Sequence, residues 1–152
     1  MLDTLDIDIA PADAADAEAQ NLVIIARQAI LDEHRAVIGY ELFDRSTAAG
    51  AHTAASDAAL LFNALSYADT DTLVGKKTVF INCTHDSLTG GHLELIHPEK
   101  VVLEVPTLPG AATPEEAEQY LPTLHSLRAR GFRLAFNQEV LRRAYASWLP
   151  LA

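Results

Sequence analysis

Four polar residues, Asp32-Glu33-His34-Arg35, constrain this chain more than any other stretch. They separate two runs with strand character, 21–31 and 36–45. The first opens on a continuous β-branched apolar run at 22–25, and the second alternates apolar and polar residues. Strands joined by so short a connection must be antiparallel, so the fold begins with a hairpin. Every later strand-like run follows a spacer long enough to cross back over a sheet. Residues 46–50 read as a loop and 53–67 as a helix, with Ala59, Leu60, Phe62, Ala64 and Leu65 at helical spacing. A strand over 78–83 follows, then a weakly helical or irregular segment broken by Gly90-Gly91 and closed by Pro98. The next strand is 101–105. Thr113, Pro114 and two glutamates start a helix that runs to Arg130, carries Pro122 inside it and stops at Gly131. A fifth strand at 132–136 and a helix over 138–148 complete the series. The order predicts an α/β fold whose strands after the hairpin are parallel and buried on both faces.

A core of that kind needs enough apolar chain, and 152 residues at 49% hydrophobic supply it for one domain. The net charge of -10 argues against a nucleic-acid groove, which needs a basic stripe. A small anionic ligand held by one or two arginines stays compatible with it. The single cysteine, Cys83, allows no internal disulfide and fits a reducing, cytoplasmic setting. No apolar run approaches the roughly 20 residues that span a bilayer, and the N-terminus lacks the pattern of a signal peptide. Residues 1–20 carry Asp3, Asp6, Asp8, Asp13, Asp16 and Glu18 with no Lys or Arg. They are expected to be a flexible acidic tail, with the ordered domain over 21–152.

The polar residues of the strands are the candidate site. Period-two alternation puts Glu41, Phe43 and Arg45 on one face of their strand. Glu41, Asn82, Glu104 and Asn137 fall near the C-terminal ends of four strands, where parallel α/β folds build their sites. Oxygen donors of this type suit a hard cation such as Mg²⁺, Mn²⁺ or Ca²⁺. Residue pattern alone leaves two plainer readings open: an ion pair between Glu41 and Arg45, and ordinary polar strand ends.

Several short motifs, in order along the chain, resemble those of EAL domains, the cyclic di-GMP phosphodiesterase family, and most closely the branch in which an EAL domain precedes an HDOD domain. Ala26-Arg27-Gln28-Ala29-Ile30 is similar to the family's Gln-Pro-Ile strand, with Ala29 in place of proline. Gly39-Tyr40-Glu41-Leu42-Phe43-Asp44-Arg45 resembles the signature Gly-x-Glu-Ala-Leu-x-Arg. Asn82-Cys83-Thr84 with Leu88 resembles Asn-x-Ser-x-x-x-Leu, Leu103-Glu104-Val105 stands where the family has Glu-x-x-Glu, and 131–136 resembles the approach to Asp-Asp-Phe-Gly. The resemblance implies a modified TIM barrel with two metal ions at its mouth activating water against a phosphodiester. It implies metal-ligand positions at Glu41, Asn82, Glu104 and Asn137, and ligand-binding positions at Gln28 and Arg45.

The departures from that pattern are as informative. Thr107 replaces the second glutamate of Glu-x-x-Glu, Asn137-Gln138 replaces the aspartate pair, and Glu139-Val140 replaces Phe-Gly. Neutral amides do not stand in for carboxylates toward hard dications, so Mg²⁺ or Mn²⁺ is expected to bind weakly or not at all. The chain ends before the family's later strands, its catalytic lysine and its remaining glutamates. The expectation is therefore a partial barrel of about five strands with vestigial sites and no catalysis, acting as a scaffold or cyclic di-GMP sensor. A cyclic di-GMP phosphodiesterase, or a fragment of a longer EAL–HDOD protein, is the alternative. An open sheet edge predicts that the chain self-associates, or that its own tail or helices cover the edge. His85, His92 and His97 fit no zinc spacing and read as surface or loop residues. Cys83 reads as a buried thiol, Tyr145 and Trp148 as packing residues, and Arg142-Arg143 as a solvated helix face.

Overall fold

The computed structural model describes residues 25–44 and 75–152. The acidic segment 1–20, the helix expected over 53–67 and Arg45 lie outside the described residues. Strand β1 (Ile25–Leu31) and strand β2 (Val37–Asp44) form the antiparallel hairpin that the four-residue connection requires. Asp32 builds the turn. Its Oδ1 accepts the backbone N–H groups of His34 and Ala36, each at 2.8 Å. Arg35 takes the left-handed conformation, φ 62°, that closes it.

Strands β3 (Thr78–Asn82), β4 (Val101–Val105) and β5 (Arg133–Phe136) extend the sheet in parallel, in the order β1-β2-β3-β4-β5. The sheet of the described residues is open, with β1 and β5 on its outside. Gly39 fixes the β2–β3 contact: a Cβ there would come within 2.6 Å of the Thr78 carbonyl oxygen and 2.7 Å of the Phe80 ring. In β4, Val101, Val102, Leu103 and Val105 are all buried, as expected of a parallel strand covered on both faces. Glu104 is the half-buried exception, which marks it as a residue kept for something other than packing.

The long helix expected from Thr113 to Arg130 is two helices, α1 (Pro114–Glu118) and α2 (Leu121–Ala129). Thr113 starts α1 with a reciprocal cap: its hydroxyl accepts Glu116 N–H at 3.3 Å, and Glu116 Oε2 accepts Thr113 N–H at 2.9 Å. Pro122 is the reason for the break. It has no N–H to offer the Glu118 carbonyl and its ring collides with that carbonyl, so the ladder stops there instead of kinking. Proline then sits in the first turn of α2, where no donor is needed. Gly131 ends α2 at φ 95°, donating to Arg128 O at 3.0 Å while Phe132 N–H reaches Leu127 O at 3.1 Å.

The C-terminal segment corrects a second expectation. In place of one helix over 138–148 there are two 3₁₀ turns, Gln138–Leu141 and Arg143–Tyr145, and a third, Leu149–Leu151, follows. Arg142 is extended (ψ 147°) and interrupts any continuous ladder. Beyond it the buried residues Tyr145, Trp148 and Leu151 recur every three positions, the repeat of a 3₁₀ turn. Trp148 is 0% exposed, donates from Nε1 to Ala117 O at 2.9 Å, and meets the Tyr145 and Phe136 rings at 5.0 and 5.7 Å. Tyr145 Oη accepts Leu108 N–H at 2.9 Å. Both aromatics are packing residues, and Cys83 is buried with its thiol toward Ile81 O. No described helix is long and apolar enough to cross a membrane.

Candidate functional site

Sheet register assembles the candidate residues. Gln28 is the cross-strand partner of Glu41, Glu41 is level with Phe80, and Asn82 is level with Glu104. Side chains two residues apart share a face, so Gln28, Glu41, Asn82 and Glu104 all project from the same side of the sheet. Asn82 is the last residue of β3, and Glu41 and Glu104 lie in the C-terminal halves of their strands. The loop after β3 is held by reciprocal bonds. Thr84 N–H donates to Ser87 Oγ at 2.9 Å, and Ser87 N–H donates to Thr84 Oγ1 at 3.1 Å. The buried Leu88 anchors it.

Within this row the side chains touch. Asn82 Nδ2 donates to Glu41 Oε1 at 2.5 Å. The Glu104 carboxyl is pushed up to about 7, first by burial, then by the negative charge of Glu41 and a hydrogen bond with it. Near neutral pH Glu104 therefore holds a proton much of the time, beside the Glu41 carboxylate that accepts from Asn82. A hard cation would relieve the same repulsion. Glu41, Asn82 and Glu104 supply oxygen donors of the right chemistry for one, but three side chains fall short of the six or more oxygens such ions take. No group of three or more His, Cys, Asp or Glu side chains suited to a metal occurs among the described residues.

The other candidates stand apart. Asn137 is exposed, and its Oδ1 caps the following turn by accepting Glu139 N–H at 3.0 Å. On β5 the residue level with Glu104 is Ala135, which has no donor atoms in its side chain. Gln28 is exposed beside Glu41. A pocket of about 410 Å³ opens beyond Asn82 and is walled by Thr84, His85, Thr107 and Pro106. His85 lies in the loop after β3, as a loop residue should, but it is half-buried there, its ring tilted 4.5 Å from the Tyr120 ring and edge-on 6.4 Å from Trp148. Burial lowers its pKa below 6.5, against the opposing pull of the Thr107 backbone and the Asp86 charge. Only the fold could bring Tyr120, 35 positions away in the chain, against it; no local motif signals the contact.

No family model matches the sequence, and no curated protein matches it. Solved structures share the fold, among them the following two. One is Klebsiella pneumoniae BlrP1 in a complex with manganese and cyclic di-GMP, 22% identical, with a TM-score of 0.53; it covers 84% of this chain and 38% of its own. The other is the Bacillus subtilis YkuI protein, with an EAL domain, in complex with substrate cyclic di-GMP and calcium. It is 21% identical with a TM-score of 0.50, and the match covers 76% of this chain and 35% of that one. The chain thus spans little more than a third of either structure. Its five-stranded sheet, one antiparallel hairpin followed by parallel strands, has the fold of part of an EAL-type barrel.

Proposed function

We propose that residues 21–152 act as an incomplete EAL-type domain in bacterial cyclic di-GMP signalling, in the cytoplasm, without hydrolysing the dinucleotide. The observation that supports this reading is the uneven state of the site. Glu41, Asn82 and Glu104 stay in contact. The positions that would complete a two-metal centre are Thr107, which is neutral, and Asn137, whose oxygen is spent on a backbone cap. Two-metal hydrolysis needs both the attacking and the leaving oxygen stabilised, and this donor set serves one ion at most. A cation held there would supply charge for a phosphate, with Gln28 and Arg45 as the flanking ligand groups. The domain then works as a sensor or scaffold for a protein partner, such as an HDOD-type domain or a second copy of the chain.

Calorimetry with cyclic di-GMP, with and without Mn²⁺, tests the reading, together with an assay for linear dinucleotide. The expected result is metal-dependent binding without product, or no binding at all for a pure scaffold. Turnover that is abolished by Glu41→Ala would overturn it.

A further inference from the structure

The N-terminal end of the sheet, opposite the candidate site, gathers positive charge. Lys76 and Lys77 precede β3, Lys100 precedes β4, Arg130 and Arg133 flank the start of β5, and Arg35 precedes β2. All six are exposed. They include every lysine in the sequence. The backbone ties them into one rim. Lys77 Nζ donates to Val37 O at 2.7 Å, linking β3 to β2. Arg133 donates to Thr78 Oγ1 at 3.1 Å and Glu99 O at 3.2 Å, spanning β5 to β3. Gly131 lies against Pro98, where an added Cβ would sit 3.3 Å from the ring. The oxygens that Lys77 and Arg133 engage are neutral, so these bonds place the cations without cancelling their charge. Among the described residues, the acids beside these positions in the sequence are Asp32, Glu33 and Glu99, half as many as the cations.

We propose that this rim is a docking surface for an acidic polypeptide segment, and that its occupant is residues 1–20 of the same chain. Charge complementarity carries the assignment: the segment holds six carboxylates and no Lys or Arg, and so supplies six of the chain's net ten negative charges. Repulsion works in the same direction. Ile25, where the segment leads into β1, is paired with Asp44 at the opposite end of the sheet, the end that carries Glu41, Asp86 and Glu104. Reach is sufficient. The eight residues of β2 measure roughly 26 Å, and twenty residues extend to roughly 66 Å.

Carbodiimide coupling of the full chain, mapped by mass spectrometry, tests the proposal, because it joins carboxylates to lysines in direct contact. At low salt, Lys76, Lys77 or Lys100 couples to an acid within 1–20, and the yield falls about tenfold by roughly 0.5 M NaCl, where exposed charges are screened. Arg35→Glu with Arg130→Glu, which keeps every lysine as a reporter, lowers the yield several-fold. A mixture of isotopically labelled and unlabelled chains shows these links within one chain. Coupling only to Asp32, Glu33 or Glu99, coupling only between copies, or a yield unaffected by salt would overturn the proposal.

Discussion

Asn82 and Glu41 are 41 positions apart, yet the Asn82 amide donates to the Glu41 carboxylate at 2.5 Å. Parallel pairing of β2 with β3 produces the contact: with Leu42 level with Ile81, Glu41 and Asn82 end one pleat apart on the same face. The next strand then delivers Glu104 level with Asn82, and its carboxyl meets that of Glu41.

That meeting predicts a pH-dependent stability. Glu104 titrates near its ordinary value of 4.5 when unfolded and near about 7 when folded. Between those values the folded state binds the extra proton, so its stability falls as pH rises and levels off above pH 7. The loss is on the order of 2–3 kcal/mol as an upper bound, since the group is only half-buried. Urea midpoints measured at pH 5 and pH 8 should show it. Glu104→Gln, which stays neutral, should flatten the difference; an unchanged slope in that variant would assign the effect elsewhere.

A second consequence concerns packing at the hairpin. Gly39→Ala puts a methyl group 2.6 Å from a backbone oxygen that cannot rotate away. Overpacking of this kind costs about 1–3 kcal/mol, and the expected readout is a lower urea midpoint with an unchanged slope. Trimming the Phe80 ring relieves only the 2.7 Å contact, so Phe80→Leu should rescue the variant in part at most.

Trp148 reports on the C-terminal turns. It is fully buried, and it is the chain's single tryptophan. Its emission should be blue-shifted in the native state and move to the red on unfolding, as a probe of the whole core. Trp148→Phe keeps most of the apolar volume but loses the indole hydrogen bond to the Ala117 carbonyl, which keeps the Tyr120 N–H as a donor, a cost of about 0.5–1.5 kcal/mol. Trp148→Ala should cost about 3–5 kcal/mol. Equal midpoints for the two variants would show that the hydrogen bond is not what the site loses.

How much of this was legible beforehand differs from element to element. The hairpin was readable because a four-residue link leaves no other pairing, and the Thr113 cap and Gly131 stop because each rests on one local conformation. The parallel order of β2, β3 and β4 was readable from their short apolar runs and long spacers, but their register was not. The 138–148 segment was not readable: apolar spacings of three and four look alike over so few residues, and only the extended Arg142 separates 3₁₀ turns from a helix. Pro122 is plain in the sequence, but whether it kinks or divides a helix depends on what neighbouring packing can recover. Glu41, Asn82 and Glu104 could be named as polar strand ends, whereas their mutual contact needed the sheet. His85 carried no signal, since its burial comes from Tyr120 and Trp148.

The final prediction tests whether lost carboxylates account for an incomplete metal centre. Thr107 lines the pocket beside Asn82, and Asn137 follows β5 one pleat beyond Ala135. In the double variant Thr107→Glu with Asn137→Asp, both positions regain a charged oxygen donor. The fold should tolerate the change, because aspartate caps Glu139 N–H as well as asparagine does. Two added carboxylates should tighten Mn²⁺ binding at least about tenfold, or roughly 1.4 kcal/mol, in calorimetry at pH 7.5. Binding should release about 0.7 proton more at pH 6.5 than at pH 8.5, because the metal must displace the proton that Glu104 holds. Affinity equal to that of the unaltered chain would mean that the geometry of the three retained residues, and not the missing charge, limits the site.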